Sequence, residues 1–175
     1  LELKQVKTPW VLFLDSDETI TPALKKEINQ AILNPKYNYQ LKRTDWFLGK
    51  KLKFGETSKF KSTRLIQKKS GKWQGIVHET FCSNLPVKIL KNPILHQRDI
   101  TVSQFIDRIN HYSNLRAKEI PIPSLLKLLF YPPAKFIQNY VIRLGFLDGL
   151  PGFILAFLMS LHSLMVRVKL YENKN

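Results

Sequence analysis

The stretch Trp10-Val-Leu-Phe-Leu-Asp15-Ser-Asp17-Glu18 joins a run of apolar residues to three carboxylates within four positions. The apolar run predicts a buried β-strand. Side chains alternate between the two faces of an extended chain, so Asp15 and Asp17 are expected to point the same way. Charges at the end of a buried strand must be paired, solvated or bound to a cation. The pattern therefore favours a Mg²⁺ or Mn²⁺ site at the strand's carboxyl end, where open α/β sheets bind ligands.

The alternative is that an aspartate only caps the helix predicted to begin near Pro22. Thr19 or Thr21 can cap that helix, which leaves the aspartates without a structural explanation. Apolar spacing predicts helices over 22–33 and from Thr101 or Ser103 to about 119. Strands are predicted over 37–44, 61–68 and 85–90. The alternation of strands and helices indicates an α/β fold.

Charge is distributed unevenly along the 175 residues, whose net charge is +15. From residue 36 to 72, twelve Lys or Arg residues stand against two acids, Asp45 and Glu56. This balance favours anionic partners such as phosphate groups or an acidic membrane surface, and no nucleic-acid motif accompanies it.

The lone Cys82 permits no internal disulfide and fits a reducing compartment. Because the first strand has no strand before it and the chain does not begin with Met, we expect a fragment of a longer protein.

Residues 124–168 are mostly apolar and contain four basic residues and one acid, Asp148. The apolar run over 153–166 is shorter than the ~20 residues that span a bilayer. Extending it back to residue 144 adds Asp148, Pro151 and three glycines. We therefore expect helices that lie in a membrane interface. A spanning helix, or an apolar helical pair packed on the rest of the protein or on another subunit, is the alternative.

A second cluster, Gly75-Ile-Val-His78-Glu79, places a carboxylate beside an imidazole. Glu79 could serve as a general base, and a surface His–Glu pair in a loop is the alternative. Trp73, just before this cluster, has an apolar face that suits stacking on a sugar ring, or it lies in the core.

Six motifs in order resemble a family-2 glycosyltransferase, of the subgroup that adds sugars to the lipopolysaccharide core. They are Leu14-Asp15-Ser-Asp17-Glu18, Arg64-Leu-Ile, Trp73-x-Gly75-x-Val77-His78-Glu79, Pro93-Ile-x-His96, Tyr112-x-x-x-Arg116 and Gly145-Phe-x-Asp148-Gly-x-x-Gly152-Phe. The resemblance implies a GT-A fold, in which a Rossmann-like sheet joins an acceptor half. It assigns residues 1–120 to the carboxy-terminal part of the catalytic domain and 121–175 to a helical membrane-interface tail. Family members open with roughly eighty further residues that this sequence lacks.

The resemblance also implies an inverting hexosyl transfer from a nucleotide-diphosphate sugar, most simply a UDP-sugar, to a hydroxyl of a glycolipid. Asp17 would bind the divalent cation, and Asp15 would contact the metal, its water shell or the ribose. Glu79 would be the catalytic base. The remaining implied contacts are diphosphate binding by Arg64, His78 and His96, and acceptor binding by Trp73.

The implied location is the cytoplasmic face of the bacterial inner membrane, as a peripheral protein. Two alternatives stay open: another metal-dependent phosphoryl or nucleotidyl transferase, and an inactive membrane-bound fragment. A Gln-x-x-Arg-Trp signature of processive synthases is absent from the sequence, which argues against a polymerising enzyme.

Overall fold

The computed structural model describes residues 5–74, 80–96, 101–120 and 124–172. It is mixed α/β, as the sequence predicts, and divides into two compact units. Unit 1 comprises 1–45 and 59–97, and unit 2 comprises 46–58 and 98–175. This grouping differs from the boundary predicted at residue 120, because 98–120 clusters with the C-terminal helices.

Unit 1 is built on a mixed sheet whose long strand is β3 (Asn38–Phe47), the end of which enters unit 2. The order of the main path is β1 (Trp10–Leu12), β5 (Lys61–Gln67), β3, β9 (Ile94–His96) and β2 (Glu18–Thr19). β3 runs parallel to β9 and to β8 (Val87–Ile89), and antiparallel to β5. β1 and β2 each pair antiparallel with their neighbours. The strand that precedes the aspartates therefore lies beside an antiparallel partner.

Two short strand pairs lie outside this main path. β4 (Lys50–Lys51) pairs with the end of β3, and β6 (Gly71–Gln74) pairs with β7 (Thr80–Ser83).

Helix α1 (Pro22–Ala31) covers the sheet as the apolar spacing predicts. Thr21 caps it by accepting a hydrogen bond from the amide of Leu24 at 3.1 Å, and Pro22 occupies the first turn. The core of unit 1 combines side chains of the helix and the sheet, namely Leu24, Ala31, Tyr39, Leu41, Leu65, Leu90 and Ile94.

Glu27 on α1 holds the turn that leads from β8 into β9. Its carboxylate accepts hydrogen bonds from the amides of Lys91 and Asn92 at 2.7 and 2.9 Å, and from the Asn92 side chain at 2.8 Å. Burial raises the pKa of Glu27, but these hydrogen bonds outweigh it and the net pKa is lowered. The charged form therefore stabilises the start of the strand that carries His96.

Unit 2 consists of α2 (Val102–Glu119), α3 (Leu125–Ile137), a π-helical turn (Gln138–Ile142), a 3₁₀ turn (Gly145–Asp148) and α4 (Leu150–Glu172). A second 3₁₀ turn, Thr57–Lys59, lies where the chain returns to unit 1. α2 opens on a capping box made by Thr101 and Gln104, which confirms the predicted start. The core joins Phe47 and Leu52 to Leu155 and Leu158 of α4.

α4 is one uninterrupted helix of 23 residues, about 34 Å long at the standard helical rise. The sequence predicts a turn over 148–152, but the helix already begins at Leu150, because Pro151 occupies a first-turn position that tolerates proline. Within the described residues, α4 is the one helix long and apolar enough to cross a membrane by length and composition.

Candidate functional site

Asp15 and Asp17 lie on a tight turn directly after β1, where the sequence predicts extended chain. The Glu18 amide donates to the Asp15 carbonyl at 3.0 Å, and the Glu18 carboxylate accepts from the Asp15 amide at 3.0 Å. The turn forms because both ends of this four-residue segment are tied together by Glu18. The predicted alternation of faces therefore does not apply, and the two aspartates contact different partners.

Arg64 on β5 binds the first half of the turn. Its guanidinium contacts Asp15 at 2.9 Å and the Glu18 carboxylate at 3.6 Å. The Glu18 side chain is fully buried, whereas half of the Asp15 side chain is exposed. Arg43 on β3 lies 4.0 Å from the same Glu18 oxygen and stacks over the ring of Phe60. Two guanidinium groups thus compensate a carboxylate that the fold has removed from water.

His96 on β9 binds the second half of the turn. Its Nδ1 lies 2.6 Å from Asp45 of β3, and its Nε2 lies 3.4 Å from the Asp17 carboxylate. Arg43 Nε lies 2.9 Å from the same Asp45 oxygen. Strand register explains the arrangement, because Glu18 of β2 and Asp45 of β3 both pair with His96 from opposite sides.

Four of the predicted site residues are brought together by this network: Asp15, Asp17, Arg64 and His96. Trp73 packs edge-on against Phe13 and Phe81 at ring-centroid distances of 5.0 and 5.5 Å, and its acceptor contact stays a prediction. His78 and Glu79 lie outside the described residues.

Three members of the network were not predicted as site residues: Glu18, Arg43 and Asp45. Asp45 carried a signal, because it is one of two acids in the basic stretch over 36–72. An isolated acid among many bases is a candidate for a specific ion pair. Its partner could not be named, since His96 is far away in sequence.

The cluster carries more negative than positive charge. Four carboxylates face two guanidinium groups, a formal sum of −2 with His96 neutral (2 − 4). Buried Glu18 Oε1, Asp45 Oδ2 and His96 Nε2 make no hydrogen bond within the described part of the chain. The His96 ring lies between two carboxylates, with Nδ1 facing Asp45 and Nε2 facing Asp17.

No group of three or more His, Cys, Asp or Glu side chains among the described residues is arranged to hold a metal by itself. Mg²⁺ in phosphate-transfer sites is commonly bound by one or two carboxylates, with phosphates and water supplying the other ligands. Asp17 and Asp15 at the accessible turn match that kind of site.

Comparison with known proteins relates the chain to a lipopolysaccharide core glycosyltransferase. Over 183 aligned residues the chain is 25% identical to the lipopolysaccharide core biosynthesis glycosyltransferase LpsC of Rhizobium meliloti (strain 1021). The alignment covers 97% of this chain and 66% of that protein, so the chain spans about two thirds of its relative's length. No family model and no solved structure matches the chain. The similarity supports a relationship between this chain and the glycosyltransferases.

Proposed function

We propose that this chain carries out the metal-binding and acceptor steps of an inverting glycosyltransferase. The donor is a nucleotide-diphosphate sugar, and the acceptor is a hydroxyl of a lipopolysaccharide-core or other lipid-linked glycan. The observation that carries the proposal is the turn over 15–18, which presents two accessible aspartates beside a buried ion-pair network. The similarity to LpsC supports the same chemistry. The family-2 and GT-A assignments rest on the sequence motifs.

Asp17 and Asp15 are the residues that would hold Mg²⁺ or Mn²⁺, which when bound supplies positive charge against the diphosphate leaving group. Arg64 orients Asp15 through their 2.9 Å contact. Asp45 orients His96 at 2.6 Å, which directs the other ring nitrogen toward Asp17. In this proposal Arg64, whose guanidinium borders the turn, also contacts the donor diphosphate, and the same role for His96 rests on the family resemblance alone.

We assign the general-base role to Glu79, which accepts the proton of the acceptor hydroxyl as that oxygen attacks the anomeric carbon. His78 orients Glu79 or contacts the phosphates, and Trp73 contributes to acceptor binding. These assignments rest on the order of the sequence motifs. The proposed location is the cytoplasmic face of the bacterial inner membrane, where a peripheral protein reaches both a soluble donor and a lipid-linked acceptor.

The test uses the full-length protein with Asp17→Asn and Glu79→Gln. Asp17→Asn keeps the size but removes the charge, so both Mn²⁺ binding in the presence of UDP and sugar transfer should collapse. Glu79→Gln should retain donor binding and lower turnover by on the order of 10²-fold. Asp107→Asn, an exposed acid on α2, is the matched control and should change neither. Mn²⁺ binding is measured by electron paramagnetic resonance, and transfer by incubating truncated lipopolysaccharide with a panel of nucleotide sugars.

Two outcomes would contradict the assignments. Wild-type Mn²⁺ binding and transfer by Asp17→Asn would remove the metal role of that residue. A loss of donor affinity in step with turnover in Glu79→Gln would make Glu79 a binding or structural residue. The product separates the competing chemistry, since glycosyl transfer from a nucleotide-diphosphate sugar releases a nucleoside diphosphate, whereas nucleotidyl transfer from the same donor releases a sugar phosphate.

A further inference from the structure

A row of exposed apolar side chains runs along α3 and into the π-helical turn after it. Leu125, Leu129, Ile137 and Val141 recur at multiples of four, and Leu126 and Phe130 flank them. These six side chains, called here the docking face, are all exposed, with Leu126 at 69%. Residues spaced by four lie on one side of a helix. A helix that turns aliphatic and aromatic side chains outward marks an interaction surface.

The apolar surface continues beyond α3 into the turns that precede α4. Ile142 is 71% exposed, and Leu144, Phe146 and Leu147 are exposed as well. Leu144 adopts a left-handed backbone conformation (φ 57°), which is uncommon for a branched residue. The chain thus presents large apolar side chains on a helix and on the turns after it.

We propose that unit 2 docks on an anionic lipid surface through the docking face, with α4 remaining outside the bilayer core. This inference deepens the proposed membrane location and does not depend on the proposed transfer chemistry. The charge pattern of unit 2 identifies a lipid leaflet as the binding partner of the docking face. From residue 120 to 147 the sequence has three basic residues, Lys127, Lys135 and Arg143, and no acid, and the contact of Glu56 with two of them leaves this surface net positive. An anionic headgroup layer complements that pattern.

The same pattern disfavours a second copy of the chain. In a two-fold dimer the same patch of both copies meets, which brings the net positive charge of the two patches together. Self-association through the docking face would therefore bring like charges together.

The electrostatic share of this binding is small. Lys135 and Arg143 contact Glu56 at 2.8 and 3.3 Å, which neutralises part of their charge. Lys127 is exposed on α3. Apolar insertion therefore dominates, and binding should persist at salt concentrations that screen surface charges.

The packing of unit 2 explains why α4 does not cross the membrane despite its length. Its buried side, including Leu155, Leu158 and Val166, forms the core of the unit. α2 packs along α4, and Lys169 of α4 donates to the Asn110 carbonyl at 2.8 Å and to the Ser113 hydroxyl at 2.8 Å. A spanning α4 would draw the charged residues of α2 into hydrocarbon or would lose this core.

The experiment is flotation of the full-length protein with vesicles of phosphatidylethanolamine and phosphatidylglycerol, against phosphatidylcholine vesicles. The double variant Leu126→Ser/Phe130→Ser should lower the partition coefficient on the anionic vesicles at least tenfold. Leu33→Ser is the matched control, because Leu33 is 81% exposed but lies in unit 1, and it should float like wild type. In wild type, 1 M NaCl should weaken flotation but not abolish it, and alkaline carbonate should release the protein from native membranes.

Four results would overturn the inference. They are unchanged flotation of the double variant, complete release by salt, full resistance to carbonate, and a wild-type dimer in solution that the double variant converts to monomer. Transfer to a water-soluble acceptor is measured in parallel. Retained flotation without any transfer activity would count against the proposed function alone, and retained transfer without flotation would count against the docking face alone.

Discussion

Asp45 and Asp15 differ in how much of their side chains is exposed to water. This difference decides how much the ion pairs of each aspartate contribute to the free energy of unfolding. Asp45 is 7% exposed and contacts both His96 and Arg43, whereas Asp15 is 53% exposed and contacts Arg64. An exposed ion pair is screened and contributes about 0–1 kcal/mol. Removing one partner of a buried group leaves uncompensated charge and costs about 3–5 kcal/mol.

We therefore expect Asp45→Ala to lower the free energy of unfolding by about 3 kcal/mol, because Arg43 and His96 lose their shared acceptor. Asp15→Ala should lower it by less than about 1 kcal/mol. Urea titrations followed by far-UV circular dichroism at neutral pH measure both. Equal losses for the two variants would show that the buried ion pairs of Asp45 contribute no more to the free energy of unfolding than the exposed pair of Asp15.

At the scale of elements, the motif Gly145-Phe-x-Asp148-Gly-x-x-Gly152 has a packing explanation. The buried Asp148 carboxylate accepts hydrogen bonds from the amides of Lys53 and Phe54 at 3.1 and 2.9 Å, and Lys50 Nζ donates to its carbonyl at 2.7 Å. A Cβ on Gly152 would lie 2.1 Å from the Gly145 carbonyl oxygen. The motif thus lets the start of α4 approach the preceding turn and ties that turn to residues 50–54.

Gly152→Ala should lower the free energy of unfolding by about 2–3 kcal/mol, because backbone atoms cannot make room for the new methyl group. The helix propensity of Ala would by itself favour the variant by about 1 kcal/mol, so a loss identifies the clash. Gly49→Ala is the control. Gly49 has φ +71° and nothing within 4 Å of an added Cβ, so only backbone strain of about 1–2 kcal/mol is expected.

Chemical denaturation of the two glycine variants measures this difference. A Gly152→Ala protein as stable as wild type would show that the approach of α4 to the turn is not tight in solution.

At the scale of the whole molecule, the C-terminal segment shares a hydrophobic core with two residues that precede it by about a hundred positions. Phe47 and Leu52 pack on Leu155 and Leu158, and α2 packs along α4. Deleting residues 124–172 would expose these apolar side chains together with one side of α2. Apolar surface of that kind promotes aggregation.

We expect the truncated protein, ending at residue 120, to be aggregated or to lose the fixed packing of α2. Size-exclusion chromatography and near-UV circular dichroism measure both properties. The docking-face double variant, which removes exposed apolar groups but keeps the core, should remain monomeric under the same conditions. A soluble, monomeric truncated protein with an ordered α2 would restore the view of 121–175 as a separable tail.

Short-range features followed from the sequence alone. Thr21 and Pro22 start α1, and the Thr101–Gln104 capping box starts α2, because capping and apolar spacing depend on residues within a few positions of each other. The sequence also singled out Asp15 and Asp17, since ionisable side chains at the end of an apolar run need partners, and the family resemblance pointed to Arg64 and His96. It could not assign those partners.

Only the tertiary structure decided the pairings and the role of α4. Asp45 meets His96 because β3 and β9 lie side by side, and Glu18 joins them through β2. Strand register between distant segments depends on the packing of the whole sheet, which no local pattern encodes. The length and apolar composition of α4 are equally compatible with a membrane span and a core helix. The structure packs α4 against α2 and α3, and no local pattern could reveal these contacts, because they depend on which distant segments fold beside the helix.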